Sequence, residues 1–213
     1  MQSKVQIVNL SKKFRQLILL ENVHLNVAQN SIVGIVGPNG SGKTTLLKMM
    51  CGLSYPDEGE IHIDGQRLKR GDLASSVGIV LGNPAFIDTM TGFDNLKYLA
   101  SIQNKINKKE IHEAMDRVGL DSSLNIKVKD YSLGMKSRLG LAQAIMERPN
   151  LLLLDEPTNA LDQEGLQMLK ELLFEYKDAG NTIVLISHDY DFMNEIADSV
   201  YQINRQQLEE VSR

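Results

Sequence analysis

Apolar and polar residues alternate along Val5-Gln6-Ile7-Val8 and along Val23-His24-Leu25-Asn26-Val27, the period of half-buried antiparallel strands. Pro56-Asp57-Glu58-Gly59 reads as a turn into a short strand, Ile61-His62-Ile63, which Asp64-Gly65 ends. Other strands are apolar throughout: Ile32–Val36, Val77–Leu81, Leu151–Leu154 and Thr182–Ile186, the pattern of strands covered on both faces. Between Thr91 and Pro149 the pattern turns helical, with Asn107-Lys108-Lys109-Glu110 opening one helix. An amphipathic helix carrying Leu166, Leu169, Leu172, Leu173 and Tyr176 then links the last two apolar strands, and a short helix starts at Asp189. Helices used as crossovers imply an α/β fold with a mostly parallel sheet. The predicted arrangement is one domain over 1–213: a core of about 1–83 and 150–213, an N-terminal antiparallel β subdomain, and an inserted helical subdomain of about 84–149. Internal repeats, low-complexity tracts and long linkers are lacking in the sequence.

The strand Ile32–Val36 runs into Gly37-Pro38-Asn39-Gly40-Ser41-Gly42-Lys43-Thr44-Thr45, which matches GxxxxGK[ST], and Leu46–Cys51 continues as a helix. Strand before and helix after are the context in which this pattern wraps a polyphosphate with backbone N–H groups. Lys43 is placed to reach the β- and γ-phosphates, and the Thr44 hydroxyl to ligate Mg²⁺. The sequence therefore predicts a nucleoside triphosphate site.

A second site is expected where Leu151–Leu154 ends in Asp155 and Glu156. The carboxyl edge of a parallel sheet is where α/β proteins hold ligands. Asp155 suits Mg²⁺, and Glu156 suits a water in line with the γ-phosphate, which it would polarise or deprotonate. Alone, two acids after four leucines are also what a solvated strand end looks like. Beside the phosphate loop they point to hydrolysis.

Composition adds limits. The 213 residues are 42% hydrophobic and carry a net charge of −4, so no nucleic-acid partner is expected. Cys51, the single cysteine, allows no intrachain disulfide and sits among apolar residues as a buried thiol would. Met1-Gln2-Ser3-Lys4 lacks the apolar core of a signal peptide, and no apolar run is long enough to span a bilayer. A cytoplasmic chain is expected.

With these motifs in place, the chain resembles the nucleotide-binding subunits of ATP-binding-cassette (ABC) transporters over nearly its whole length. Tyr131-Ser132-Leu133-Gly134-Met135-Lys136 stands where that family carries its Leu-Ser-Gly-Gly-Gln signature; Ser132 and Gly134 match, Leu133 and Met135 depart. Ser132 also reads simply as the N-cap of a helix through Leu139–Met146. The resemblance joins both roles, implying that this helix end faces the γ-phosphate held by an opposite subunit. It further implies a D-loop at Asn159-Ala160-Leu161-Asp162, a γ-phosphate contact from His188, and adenine stacking on Phe14, whose other reading is core packing. Implied with these are ATP and Mg²⁺ as cofactors, and catalytic roles for Glu156, His188 and Lys43. Implied partners are a second ATP-binding subunit and an integral membrane transporter subunit at the inner face of the cell membrane. The Tyr-Ser-Leu-Gly-Met signature, with Thr158–Asp162, is similar to the bacterial export branch for drugs and antimicrobial peptides.

One position departs. Gly82 stands where the family has a glutamine that joins Mg²⁺ and water to the helical subdomain; either Asn83 from the next position or a water is expected to fill the gap. Weaker metal coordination and altered coupling are expected. Two alternatives stay open, a soluble ATPase acting on ribosomes or DNA and a regulatory cassette with little turnover.

Overall fold

The computed structural model describes residues 2–82 and 84–211. Its first elements are β1 (Ser3–Phe14), β2 (Leu17–Ala28), β3 (Ile32–Val36), α1 (Lys43–Met50), β4 (Glu58–Ile63), β5 (Gln66–Arg67) and β6 (Val77–Val80). Three helices follow, α2 (Gly92–Gln103), α3 (Lys108–Arg117) and, after a 3₁₀ turn at Val128–Asp130, α4 (Leu133–Ile145). The chain closes with β7 (Leu151–Asp155), α5 (Gln163–Asp178), β8 (Thr182–Ile186), α6 (Tyr190–Ile196), β9 (Ser199–Asn204) and β10 (Gln207–Val211).

Two sheets result. A four-stranded antiparallel sheet has the order β2-β1-β4-β5, and a six-stranded sheet the order β10-β9-β3-β8-β7-β6. Five strands of the larger sheet are parallel, with β10 returning antiparallel at its edge. Period-two geometry sorts the apolar strands onto two faces. Val33, Ile35, Leu151, Leu153, Val184 and Ile186 pack with α1 and the antiparallel sheet. Ile32, Val36, Leu152, Leu154, Ile183 and Leu185 pack with the helices from α2 to α6. Lys4, buried, donates to Asp64 at 2.8 Å and to Asn150 at 2.8 Å, which ties the small sheet to the start of β7.

Helix starts follow local chemistry. Thr91, Asn107, Ser132, Asp162 and Asp189 each accept a first-turn backbone N–H, and Asn107 with Glu110 forms a full capping box. The first strands are longer than the alternation alone predicts. Asn9 and Asn22 adopt left-handed backbone, and the β1–β2 register shifts between Ile7 and Leu10. Such bulges change the phase of alternation, so the pattern past Val8 no longer reads as strand. No helix among the described residues is long and apolar enough to cross a membrane.

Candidate active site

The phosphate loop joins β3 to α1. Gly42 is the N-cap of α1 at φ 100°, a conformation open to glycine, and no side chain caps the helix. The first-turn N–H groups therefore keep their bonding capacity for an anion. Lys43 is buried, and its ammonium donates to the Gly37 and Pro38 carbonyls at 2.7 and 3.1 Å, which holds it over the loop. The Ser41 hydroxyl is buried with no hydrogen-bond partner among the described residues. An orphaned hydroxyl inside a glycine loop fits a phosphate-bearing ligand.

Parity along β7 decides the next contact. Asp155 continues the face of Leu151 and Leu153, so it points to the α1 side, where the Thr44 hydroxyl donates to its Oδ2 at 2.7 Å. This pair of oxygens suits a hard divalent cation. No cluster of three or more His, Cys, Asp or Glu able to hold a metal occurs among the described residues, so this pair is the candidate. Burial pushes the Asp155 carboxyl above its ordinary value, and Glu156 adds to the rise; the Thr44 hydrogen bond, Lys43 and Lys48 oppose it. A bound cation would reverse that balance by favouring the charged form.

Glu156 follows at φ 53°, unusual for a residue with a side chain. Four contacts hold it there. Its N–H donates to the Ile186 carbonyl at 2.9 Å, the Asn159 N–H donates to its carbonyl at 3.2 Å, and Nδ1–H of His188 donates to its Oε2 at 2.8 Å. The His188 backbone N–H reaches the same oxygen at 3.3 Å. Thr158 and Ser187, both buried, share a hydroxyl hydrogen bond of 3.1 Å that pins together the loops carrying this dyad. A carboxylate held this way can accept a proton from water.

A cavity of about 370 Å³ opens here, lined by Asn39, Gly40, Gly42, Lys43, Thr44 and Thr45 with Leu19, Asp155 and Glu156. Leu19 had no sequence signal: it is one of several apolar residues on β2, and only packing brings it to the loop. Phe14 lies outside this lining, 61% exposed at the end of the β1–β2 hairpin, with the Arg15 guanidinium 5.7 Å from its ring centroid. Its face is thus free of the core packing that was its other reading.

Ser132 and Gly134 lie elsewhere. They line a separate cavity of about 340 Å³ with Ala160, Leu161 and Asp162. The Ser132 hydroxyl oxygen accepts from the Met135 N–H at 3.1 Å, leaving its own proton to donate. At Gly134 an added Cβ would stand 3.0 Å from the Ala160 carbonyl, so a larger residue would push the Asn159–Asp162 segment away by a few tenths of an ångström. Leu133 is 71% exposed. Gly82 takes φ 51° with open space around it, and Asn83 lies outside the described residues.

Comparison with known proteins places this geometry. A profile of the ABC transporter family matches residues 20–159, from the first part of β2 through both carboxylates. The chain belongs to the ABC transporter family. An uncharacterised ABC transporter ATP-binding protein of Bacillus subtilis (strain 168), YybJ, is 38% identical over 96% of this chain and 94% of its own. The bacitracin transport ATP-binding protein BcrA of Enterococcus faecalis is 36% identical over 94% of this chain and 66% of its own. The lantibiotic transport ATP-binding protein SrtF of Streptococcus pyogenes is 34% identical over 92% and 85%. Among solved structures, a dimeric post-hydrolysis state of the ATP-binding cassette MJ0796 with ADP and Pi superposes with a TM-score of 0.83. It is 26% identical, covering 98% of this chain and 99% of that one. The fold is that of the family's ATP-binding cassettes.

Proposed function

We propose that this chain binds and hydrolyses ATP to drive a separate membrane subunit, as one of two cassettes paired head to tail. The observation that carries the reading is the meeting of the phosphate loop with the end of β7, through the 2.7 Å hydrogen bond from Thr44 to Asp155. Lys43 and the open N-terminus of α1 receive the phosphates, and the exposed face of Phe14 stacks on adenine. Thr44 and Asp155 would hold Mg²⁺, which neutralises β- and γ-phosphate charge when bound. Glu156, oriented by His188, takes a proton from the attacking water as its oxygen bonds to the γ-phosphorus and the bond to ADP breaks.

Ser132 and Gly134 serve the other subunit's nucleotide. Within one chain they occupy a cavity distinct from the phosphate loop. Hydrolysis removes the γ-phosphate contacts and the pair opens, moving the membrane subunit. That subunit holds the chain at the cytoplasmic face. Gly82 offers no side chain to metal or water, so metal coordination is weak and coupling altered. The cargo is proposed to be a peptide antibiotic or similar drug exported from the cell, on the strength of the signature variant and of the relatives named for bacitracin and lantibiotic transport.

The test has two arms. The purified chain should hydrolyse ATP only with Mg²⁺, at a rate that rises faster than linearly with protein concentration. Gently solubilised membranes should yield it with a polytopic membrane protein in near-equal amount. Recovery of ribosomal or DNA-associated proteins alone would leave the ATP site standing and remove the transport role.

A further inference from the structure

Asn95, on the first turn of α2, is a polar side chain only 3% exposed. It uses three hydrogen bonds on one stretch of chain. Its Oδ1 accepts from the Ile87 N–H at 2.8 Å, and its Nδ2 donates to the Ile87 and Thr91 carbonyls at 3.1 and 2.9 Å. The clamped segment, residues 87–91 ahead of α2, is tied on its other side to the segment leading into α4. Val128 N–H donates to Met90 at 2.9 Å, Lys129 N–H donates to Asp88 at 3.1 Å, and Thr91 bridges Lys127. The next residues are Tyr131 and Ser132. The Tyr131 ring is buried, and its hydroxyl packs so closely on the Gly92 backbone that an added Cβ would come within 2.5 Å of it.

These contacts make one continuous strap from Asn95 to Ser132. None of them touches the phosphate loop. We infer that Asn95 is a positioning residue for hydrolysis: by clamping residues 87–91 it sets where Ser132 and Gly134 are presented to the opposite chain's nucleotide. The inference rests on the head-to-tail pairing proposed above. No other residue type satisfies the same acceptor and both donors in the same volume, because Asp loses the donors and Gln is one methylene too long. Removing the side chain leaves the Ile87 N–H without its partner, while the Ile87 and Thr91 carbonyls keep only the Met90 and Asn95 backbone N–H groups.

The test is Asn95→Ala, assayed for ATP affinity on dilute chain and for turnover at high concentration. Affinity should stay within about twofold while kcat falls by roughly tenfold or more, since the phosphate loop is intact and only the opposed segment is displaced. Amide exchange should quicken at residues 87–91 and 128–131 and not along β3 or β7. A positioning defect also has a readout in trans. Mixing Asn95→Ala with Glu156→Gln chains before adding ATP should recover turnover, because one site then pairs an intact Glu156 with an intact Ser132 segment. Lost affinity, unchanged kcat or failure of the mixture to recover would each overturn the inference. If the alanine variant does not fold, Asn95→Asp, which keeps the acceptor, is read by the same criteria. A wild-type chain without Mg²⁺-dependent hydrolysis would instead overturn the proposed function itself.

Discussion

The phosphate-loop end of the molecule and the Ser132 end are both built on helix N-termini, yet they differ in how far one chain completes them. At the first, Lys43 rests on its own loop, Thr44 meets Asp155, and Glu156 is held by His188. At the second, Ser132 caps α4 with its hydroxyl proton still uncommitted, and Leu133 stands out in solvent. A site whose groups hold one another is preorganised and binds within one chain. A site with spent cap chemistry and outward donors gains its function when a second surface arrives. Under the head-to-tail pairing proposed above, the difference teaches that affinity for nucleotide belongs to the first region alone, whereas hydrolysis needs both.

Substitutions can break that division or sharpen it. The largest effect is expected from Glu156→Gln, which should lower phosphate release by about 10²–10⁴-fold while nucleotide still binds. Near-normal turnover would move the base elsewhere. Lys43→Ala should weaken ATP binding on dilute chain by about 10–100-fold, the loss of a charge-assisted contact. Ser132→Ala should leave that dilute affinity unaltered and depress only turnover at high concentration, besides costing about 1 kcal/mol of helix capping. Equal losses of affinity in both variants would end the comparison.

Smaller effects fall on the carboxylate edge. Gly82→Gln should lower the Mg²⁺ needed for half-maximal hydrolysis a few-fold, although holding a side chain at positive φ costs about 1–2 kcal/mol. An unaltered Mg²⁺ titration and turnover would show that Gly82 does not limit metal binding. Asp155→Asn should raise the melting temperature of nucleotide-free chain at neutral pH. Burial lifts the Asp155 carboxyl, so its ionised form costs stability above the folded pKa and the cost fades as pH falls. The gap between variant and wild type should therefore close on acidification, and a gap that widens would contradict the assignment.

Much of this was legible in residue order. Glycine spacing, the Lys-Thr pair and a flanking strand and helix are local features, as are the caps at Asn107, Ser132 and Asp189. Other elements were not legible. The β9–β10 hairpin turns through Arg205 and Gln206, both at positive φ, and neither central position holds the glycine or asparagine that usually marks such a turn. Nothing about Asn95 distinguishes it from any asparagine on a helix until its loop folds over it.

Sequence alone determined which residues bear chemistry and which strands are covered on both faces, because short-range sterics and periodic burial act over a few residues. Tertiary structure alone decided that Thr44 meets Asp155 across 111 positions, that Leu19 rather than Phe14 walls the phosphate-loop cavity, and that Ser132 stands apart from the phosphate loop of its own chain. Those outcomes depend on strand order and on the packing of distant elements, which no local spacing encodes.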